Sequence, residues 1–237
     1  MSDFPWFKSY PSEVPKTIEL SRYNNLVDIF DQSVKSFGDK TAYKNMDVEI
    51  SFNEVSAHVD ALVWHIQNKT KLKKGDRIAL QMPNLLQFPI TIFACLKAGL
   101  VIVNTNPLYT AEEMRHQYKD SGAKAIIILE NFAFNLQEIL QDTEIETVIT
   151  TTIGDMLGGL KGAITNFVVR HVKKMVPPFQ LNDTIPLKQI FKESLGKKGA
   201  PVSLKKDDHA FLQYTGGTTG VSKGCLLYTS PSPRDSG

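Results

Sequence analysis

The stretch “AKAIIIL”, residues Ala123–Leu129, decides the predicted fold. After Lys124 the run is wholly apolar, which is typical of a parallel strand covered on both faces rather than of a half-exposed strand. A helix is predicted directly before it. Thr110 and Glu113 have the spacing of a capping box, and Gly122 ends the helical pattern.

The alternation of helix and strand continues on both sides of this stretch. Downstream, a helix at 132–141 is followed by a strand at 147–150. Upstream, “RIALQM” at 77–82 is a predicted strand, 85–98 a predicted helix, and “LVIVN” at 100–104 a second strand. Such an alternation predicts βαβ units, in which each helix crosses over between neighbouring strands.

The predicted fold class is therefore α/β with a parallel sheet. Crossovers in such sheets are right-handed, and ligands bind beyond the carboxyl ends of the strands. We expect chemistry in three loops, those that follow “RIALQM”, “LVIVN” and “HAFLQY” at 209–214. Asn106, Pro107 and Tyr109 lie in the second of these loops, where we interpret them as turn residues.

Composition excludes several classes of protein. The chain has 237 residues, 42% of them hydrophobic and 22% charged, and a net charge of +2 that gives no reason to expect a nucleic-acid partner. Two cysteines, Cys95 and Cys225, do not form a disulfide framework, so we expect the reducing cytoplasm. The amino terminus lacks the pattern of a secretory signal, and the apolar stretch 85–103 is interrupted by polar residues and glycine.

Residues 151–206 have weaker periodicity and more glycine, lysine and proline. Within them, 160–179 contains no acidic residue, and its cations are Lys161, Arg170, Lys173 and Lys174. One face of a helix here would carry Ile164, Phe167, Val168 and Val172. This pattern predicts an amphipathic helix that contacts anionic lipid at the inner face of the membrane, or a helix packed on its own domain with a solvated basic side.

A glycine-threonine loop, “TGGTTGVSKG”, follows the predicted strand 209–214. Glycines let the backbone approach a ligand closely, and successive amides in such a turn form an anion-binding nest. Threonine hydroxyls can donate to phosphate or bind Mg²⁺, and Lys223 adds a positive charge. The loop is not a Walker A sequence, because Gly224 follows the lysine where serine or threonine is required. The alternative is a flexible linker.

The loop resembles the signature loop of the adenylate-forming, or AMP-binding, superfamily, with Ser222 in place of the usual proline. The blocks “LKKGDRIALQMPNLLQFPI” and “GLVIVNTNPLYTAEEMRHQYKDSGAKAIII” are similar to bacterial long-chain-fatty-acid–CoA ligases in particular. The resemblance covers residues 4–224. It implies that 1–224 form the parallel-sheet, N-terminal part of an AMP-binding domain that is truncated here, with the C-terminal domain absent.

The resemblance implies a two-step reaction. A fatty-acid carboxylate attacks the α-phosphate of ATP, pyrophosphate leaves, and the thiol of coenzyme A takes the acyl group from the acyl-adenylate. The implied nucleotide- and phosphate-binding residues are Tyr214, Thr215, Gly216, Gly217, Thr218, Thr219, Gly220, Lys223 and Gly224. Lys223 would neutralise the leaving pyrophosphate, and Thr215 would contact Mg²⁺. His116, His171 and His209 are isolated in the sequence, and we expect no functional role for them.

The last stretch, 225–237, does not resemble the family. The resemblance implies a helix after the loop, whereas Ser-Pro-Ser-Pro cannot continue one. The stretch looks like the in-frame translation of a sequencing adaptor, so we expect a non-native tail on an inactive fragment. The family's acidic Mg²⁺ ligand and catalytic lysine would lie downstream. Two alternatives remain: a non-catalytic nucleotide- or acyl-binding module, and an acyl-CoA synthetase for medium-chain or aryl acids.

Overall fold

The computed structural model describes residues 4–17, 23–215 and 222–229. Its helices are α1 (Leu26–Phe37), α2 (Phe52–Lys69), α3 (Gln87–Lys97), α4 (Ala111–Ser121), α5 (Ala133–Ile139), α6 (Gly159–Phe167) and α7 (Leu187–Ser194). Its strands are β1 (Thr41–Asn45), β2 (Val48–Ser51), β3 (Arg77–Gln81), β4 (Val101–Asn104), β5 (Ala123–Leu129), β6 (Thr147–Thr151), β7 (Ile185–Pro186), β8 (His209–Thr215) and β9 (Lys223–Tyr228). No helix in these ranges is long and apolar enough to cross a membrane.

The main sheet has the order β7-β6-β5-β3-β4-β8-β9 within the described residues. Every neighbouring pair is parallel except β8 and β9, which pair antiparallel. The parallel α/β prediction is thus confirmed. Strands β1 and β2 form a separate antiparallel hairpin, which the sequence pattern did not predict.

Local sequence explains where the helices begin and end. Both capping boxes form: the Thr110 Oγ1 accepts from the Glu113 amide, and the Glu113 carboxylate accepts from the Thr110 amide at 2.8 Å. Ser51 and Glu54 repeat this arrangement at the start of α2. Gly122 ends α4 with a φ of 58°, a left-handed conformation that glycine adopts without strain. Helix α5 is shorter than the predicted 132–141, because single 3₁₀ turns flank it.

Both faces of β5 are buried, as the “AKAIIIL” run predicts. On one face, Ala125 and Ile127 of β5 join a core that includes Phe30, Leu62, Ile90 and Ile190 from α1, α2, α3 and α7. On the other face, Ile126 and Ile128 join a core that includes Met114, Tyr118 and Leu136 from α4 and α5. Each buried isoleucine contributes roughly 1.5–3 kcal/mol relative to exposure. Cys95 is fully buried in the first of these cores, and burial raises the pKa of its thiol.

Helix α6 is fixed to the carboxyl edge of the sheet by a close backbone contact. A Cβ placed on Gly162 would lie 2.3 Å from the carbonyl oxygen of Gly154, so only glycine fits there. The side-chain amide of Asn166 accepts from the Gly154 amide at 2.8 Å and donates to the Thr152 hydroxyl at 2.8 Å. These contacts therefore fix α6 in one position on the domain.

An ion pair holds the continuation of α6. A π-helical turn, Val168–Val172, carries Arg170, whose guanidinium pairs with the buried carboxylate of Glu130 at the end of β5. Burial raises the pKa of Glu130, and the charge of Arg170 opposes that rise. Of the predicted apolar face, Ile164, Phe167 and Val172 are exposed and Val168 is half-buried.

The residues after the loop form a strand. The sequence predicts that this chain departs from the helix of the family here, and Lys223–Tyr228 instead pair with β8 over its full length. All six residues of β9 are exposed, and Leu226, Leu227 and Tyr228 are among them. The chain then returns to the domain at Thr229, whose amide donates to the Asp208 carbonyl at 2.9 Å.

Candidate functional site

A cavity of about 860 Å³ opens at the carboxyl ends of β3, β4 and β8. This is the edge where parallel α/β sheets bind ligands, and the volume falls in the usual range of ligand pockets, about 300–1,000 Å³. The lining residues are Met82, Pro83, Asn84, Phe88, Asn104, Thr105, Asn106, Pro107, Leu108, Tyr109, Phe132, Gln213 and Tyr214. The walls combine apolar side chains with neutral amides and hydroxyls, and none of these residues has a charged side chain.

Side-chain amides connect the strand ends that form the cavity. The Asn104 amide of β4 donates to the Gln213 amide oxygen of β8 at 3.4 Å, and the Gln117 amide of α4 donates to the Asn104 carbonyl at 3.1 Å. The loop after β4 turns as expected, because the Asn106 side chain accepts from the Leu108 amide at 3.0 Å. Polar groups therefore fix the cavity wall before any ligand binds.

A buried polar pair lies at the end of β3. The hydroxyl of Tyr118 on α4 donates to the amide oxygen of Gln81 at 2.8 Å. Burial raises the pKa of Tyr118, so this hydroxyl stays protonated at neutral pH and remains a donor. The pair ties α4 to the end of β3.

The predicted phosphate-binding residues are divided between described and undescribed parts of the chain. Residues 216–221 lie outside the described residues, and they include Gly216, Gly217, Thr218, Thr219 and Gly220. The residues on either side are described: Thr215 ends β8, Lys223 begins β9, and the two pair across the hairpin. Both are exposed. We call this pair, Thr215 and Lys223, the neck of the β8–β9 hairpin.

The predicted residue Tyr214 lies next to the neck, with its ring buried against the α4 side of the sheet. Its hydroxyl donates to the Asp120 carboxylate of α4 at 2.5 Å. Burial raises the pKa of Tyr214, and the Asp120 charge raises it further. A Cβ on Gly224 would lie 3.0 Å from the Tyr214 ring, so glycine lets β9 pass directly over this side chain. A phosphate-binding role for Tyr214 and Gly224 stays a prediction.

The described residues do not form a metal site by themselves. They contain no group of three or more His, Cys, Asp or Glu side chains that could hold a metal ion. Mg²⁺ that is bound to phosphates keeps most of its water and needs few protein ligands. In the predicted role, the Thr215 hydroxyl would contact Mg²⁺, and the ion would neutralise charge on the phosphates.

Sequence reasoning missed the side chains that support the hairpin. Asp120 is 94 residues from its partner Tyr214. His116, for which no role was expected, places Nε2 3.3 Å from the carbonyl oxygen of Ser222, 106 residues away. The four-residue spacing of His116 and Asp120 on α4 was visible in the sequence, but only the sheet order brings that helix face to the hairpin.

Comparison with known proteins agrees with this geometry. The family model described as AMP-binding enzyme matches residues 30–230. Long-chain-fatty-acid–CoA ligases of Escherichia coli O6:H1 and Haemophilus influenzae are 44% and 42% identical to this chain, each over 94% of it. The crystal structure of an anthranilate CoA ligase with anthranoyl-AMP has a TM-score of 0.70 at 19% identity, and the match covers 90% of this chain and 36% of that one.

The chain spans about 40% of the length of these two curated relatives. The match includes the strands that form the cavity and reaches past Gly224 into β9. Since the family model covers far more than half of the sequence, the chain belongs to the AMP-binding enzyme family.

Proposed function

We propose that the chain is the N-terminal part of a long-chain-fatty-acid–CoA ligase, which activates a fatty acid with ATP and transfers the acyl group to coenzyme A. The observation that carries the proposal is the cavity at the ends of β3, β4 and β8, with the hairpin neck beside it, in a member of the AMP-binding family. The long-chain substrate is supported by the 42–44% identity to ligases of that name.

The residues of this chain act mainly on the phosphates. A carboxylate oxygen attacks the α-phosphorus, and the bond to pyrophosphate breaks as the acyl-adenylate forms. Lys223 would balance the charge on the leaving pyrophosphate, and Thr215 would donate its hydroxyl or hold Mg²⁺. The amides of 216–220, which lie outside the described residues, are expected to donate to phosphate oxygens. Donors fixed in advance are the largest source of such catalysis. The thiol of coenzyme A then attacks the acyl carbon, and AMP leaves.

A chimera tests this proposal directly. In it, residues 1–224 replace the matching segment of the E. coli O6:H1 ligase, which supplies the rest of the domain. We expect the purified chimera, with ATP, Mg²⁺ and coenzyme A, to convert oleate to its CoA thioester. Thioester formed from octanoate or benzoate but not from oleate would favour the medium-chain or aryl alternative. A folded chimera that binds ATP and forms no thioester would favour a binding module.

The 237-residue chain serves as the control for the chimera. It spans about 40% of the relatives, and we expect it to form no acyl-CoA above background under the same conditions. If this chain formed any ATP-dependent thioester, the proposal that residues 1–224 need the remainder of the family's sequence for activity would be contradicted.

We also propose that residues 1–224 are the native part and that 225–237 are a foreign tail. The tail's resemblance to a translated adaptor supports this, whereas the family match runs to residue 230 and does not set the boundary at Gly224. The source genome decides the matter. Coding DNA that continues as an ordinary ligase after Gly224 supports the proposal, whereas DNA that encodes 225–237 followed by a stop contradicts it.

A second proposal concerns the membrane. Helix α6 and the turn that follows expose a line of large apolar side chains, namely Leu160, Ile164, Phe167, Val172 and Met175. Lys161, Lys173 and Lys174 are exposed beside them, and no acidic residue occurs from 156 to 182. Apolar side chains flanked by cations suit the surface of an anionic bilayer. This apolar line follows the loop after β6, at the carboxyl edge of the sheet where the cavity also opens.

Vesicle binding tests the membrane proposal. We expect the chain to bind phosphatidylcholine vesicles that contain phosphatidylglycerol, and Phe167→Asp to weaken binding about tenfold because a charge replaces an exposed ring that would enter the bilayer. Leu195→Asp, which alters an exposed leucine on another surface, should leave binding unchanged. Binding should also weaken when salt is raised, since the lysines are exposed. Equal effects of the two substitutions would contradict the proposal, which places the protein in the cytoplasm at the inner membrane face.

A further inference from the structure

The hairpin neck extends past the part of the sheet that supports β8. Parallel pairing between β4 and β8 runs from Phe211 to Gln213 and stops there. Beyond Gln213, the strand partner of Tyr214 and Thr215 is β9, which is itself the outermost strand of the sheet in the described residues. A projecting pair of strands needs lateral contacts to keep one position, because backbone pairing within a hairpin does not fix the hairpin relative to its domain.

Helix α4 supplies those contacts on both sides of the neck. Asp120 accepts from the Tyr214 hydroxyl at 2.5 Å, one residue before the neck. His116 Nε2 lies 3.3 Å from the Ser222 carbonyl oxygen, one residue before Lys223 on the other strand. The two side chains are four residues apart and so lie on one face of the helix. His116 and Asp120 therefore both lie on a helix rather than on a loop.

Helix α4 is a firm support, since its own position is fixed. Met114 and Tyr118 are fully buried, and Tyr118 bonds to Gln81 on β3. Gln117 bonds to the Asn104 carbonyl on β4. The face that carries His116 and Asp120 is therefore held at a set distance from the strand ends that line the cavity.

We propose that His116 and Asp120 are positioning residues, which hold the hairpin neck so that Thr215 and Lys223 keep a fixed place beside the cavity. This inference rests on the proposed function, because the neck matters only if Lys223 and Thr215 meet the phosphates of ATP. Neither His116 nor Asp120 contacts substrate in this account. Their effect is transmitted through Ser222 and Tyr214.

Hydrogen exchange on the 237-residue chain tests the support itself, without any nucleotide. We expect Asp120→Ala to speed amide exchange about tenfold in peptides that contain the end of β8 and the start of β9. Asp120→Asn keeps an acceptor oxygen and should stay within about twofold of the wild type. His116→Ala should also speed exchange. His116→Gln, which keeps a donor, should exchange at about the wild-type rate. Exchange in β3 and β5 should not change, because Asp120 is exposed and lies outside the core.

Kinetics of the chimera test the consequence. We expect Asp120→Ala to lower kcat/KM for ATP about tenfold while KM for oleate and for coenzyme A stays within about twofold. The double variant Asp120→Ala/Tyr214→Phe should be no worse than either single variant, because both remove the same contact. This proposal alone is overturned if neither alanine variant changes amide exchange at the neck. It is likewise overturned if exchange changes while kcat/KM for ATP does not. A chimera that activates no acid in any variant removes the proposed function and this inference together.

Discussion

Replacement of Lys223 by alanine in the chimera is expected to lower kcat/KM for ATP about 100-fold, since loss of one preorganised donor to a developing oxyanion costs roughly 10²–10³ in rate. Lys223 begins β9 and pairs with Thr215 at the neck. Alanine keeps the backbone pairing of the strand, so the loss isolates the ammonium charge. Steady-state rates of thioester formation at varied ATP, with oleate saturating, measure the effect.

Two further variants make this result specific. Lys223→Arg retains the positive charge and should recover part of the lost rate, though not all, because the guanidinium is larger and planar. Lys192→Ala removes an exposed lysine from α7 and should change kcat/KM by less than about twofold. A rate for Lys223→Ala that equals the rate for Lys192→Ala would show that Lys223 has no part in the reaction.

Replacement of Gly162 by alanine is expected to destabilise the domain by about 2 kcal/mol. The new Cβ would lie 2.3 Å from the Gly154 carbonyl oxygen, and a backbone atom cannot rotate out of the way. Overpacking of this kind costs about 1–3 kcal/mol or more. Alanine is favoured over glycine in a helix by about 1 kcal/mol, which offsets part of that cost. Urea unfolding, followed by circular dichroism, measures the net change.

The matched control for Gly162→Ala lies in the same helix. Gly159 begins α6, and a Cβ there would meet nothing within 4 Å. Gly159→Ala should therefore leave stability unchanged or raise it by up to about 1 kcal/mol, the helix preference of alanine acting alone. If both substitutions changed the urea midpoint equally, the Gly154–Gly162 contact would not be what fixes α6.

The sequence was a sound guide wherever the information was local. The apolar run of β5 and the capping box at Thr110 each depend on neighbours within a few residues, and both have the predicted form. Gly122 likewise ends α4 in the expected left-handed conformation. Sheet direction followed from the helix–strand alternation, because parallel strands require crossovers.

The sequence was a poor guide wherever distant residues decide the outcome. The sequence does not show that Asp120 binds the Tyr214 hydroxyl, because that contact depends on β8 lying beside β4. His116 was dismissed as isolated because Ser222 is far away in the chain. The position of α6 depends on the contact between Gly154 and Gly162, and neither glycine belongs to a sequence pattern that predicts this contact.

The two edges of the sheet have different capacities for self-association. Strand β7 has two residues, and Pro186 lacks an amide hydrogen, so little can add there. Strand β9, the outermost strand on the other side among the described residues, has six exposed residues, of which Lys223 alone is charged. If two copies paired antiparallel through β9, the unpaired edge of each β9 strand would be covered. The β7 edges, which pair poorly, would then lie on the outside of the dimer. Concentrated solutions of the chain would then contain closed pairs in place of fibres.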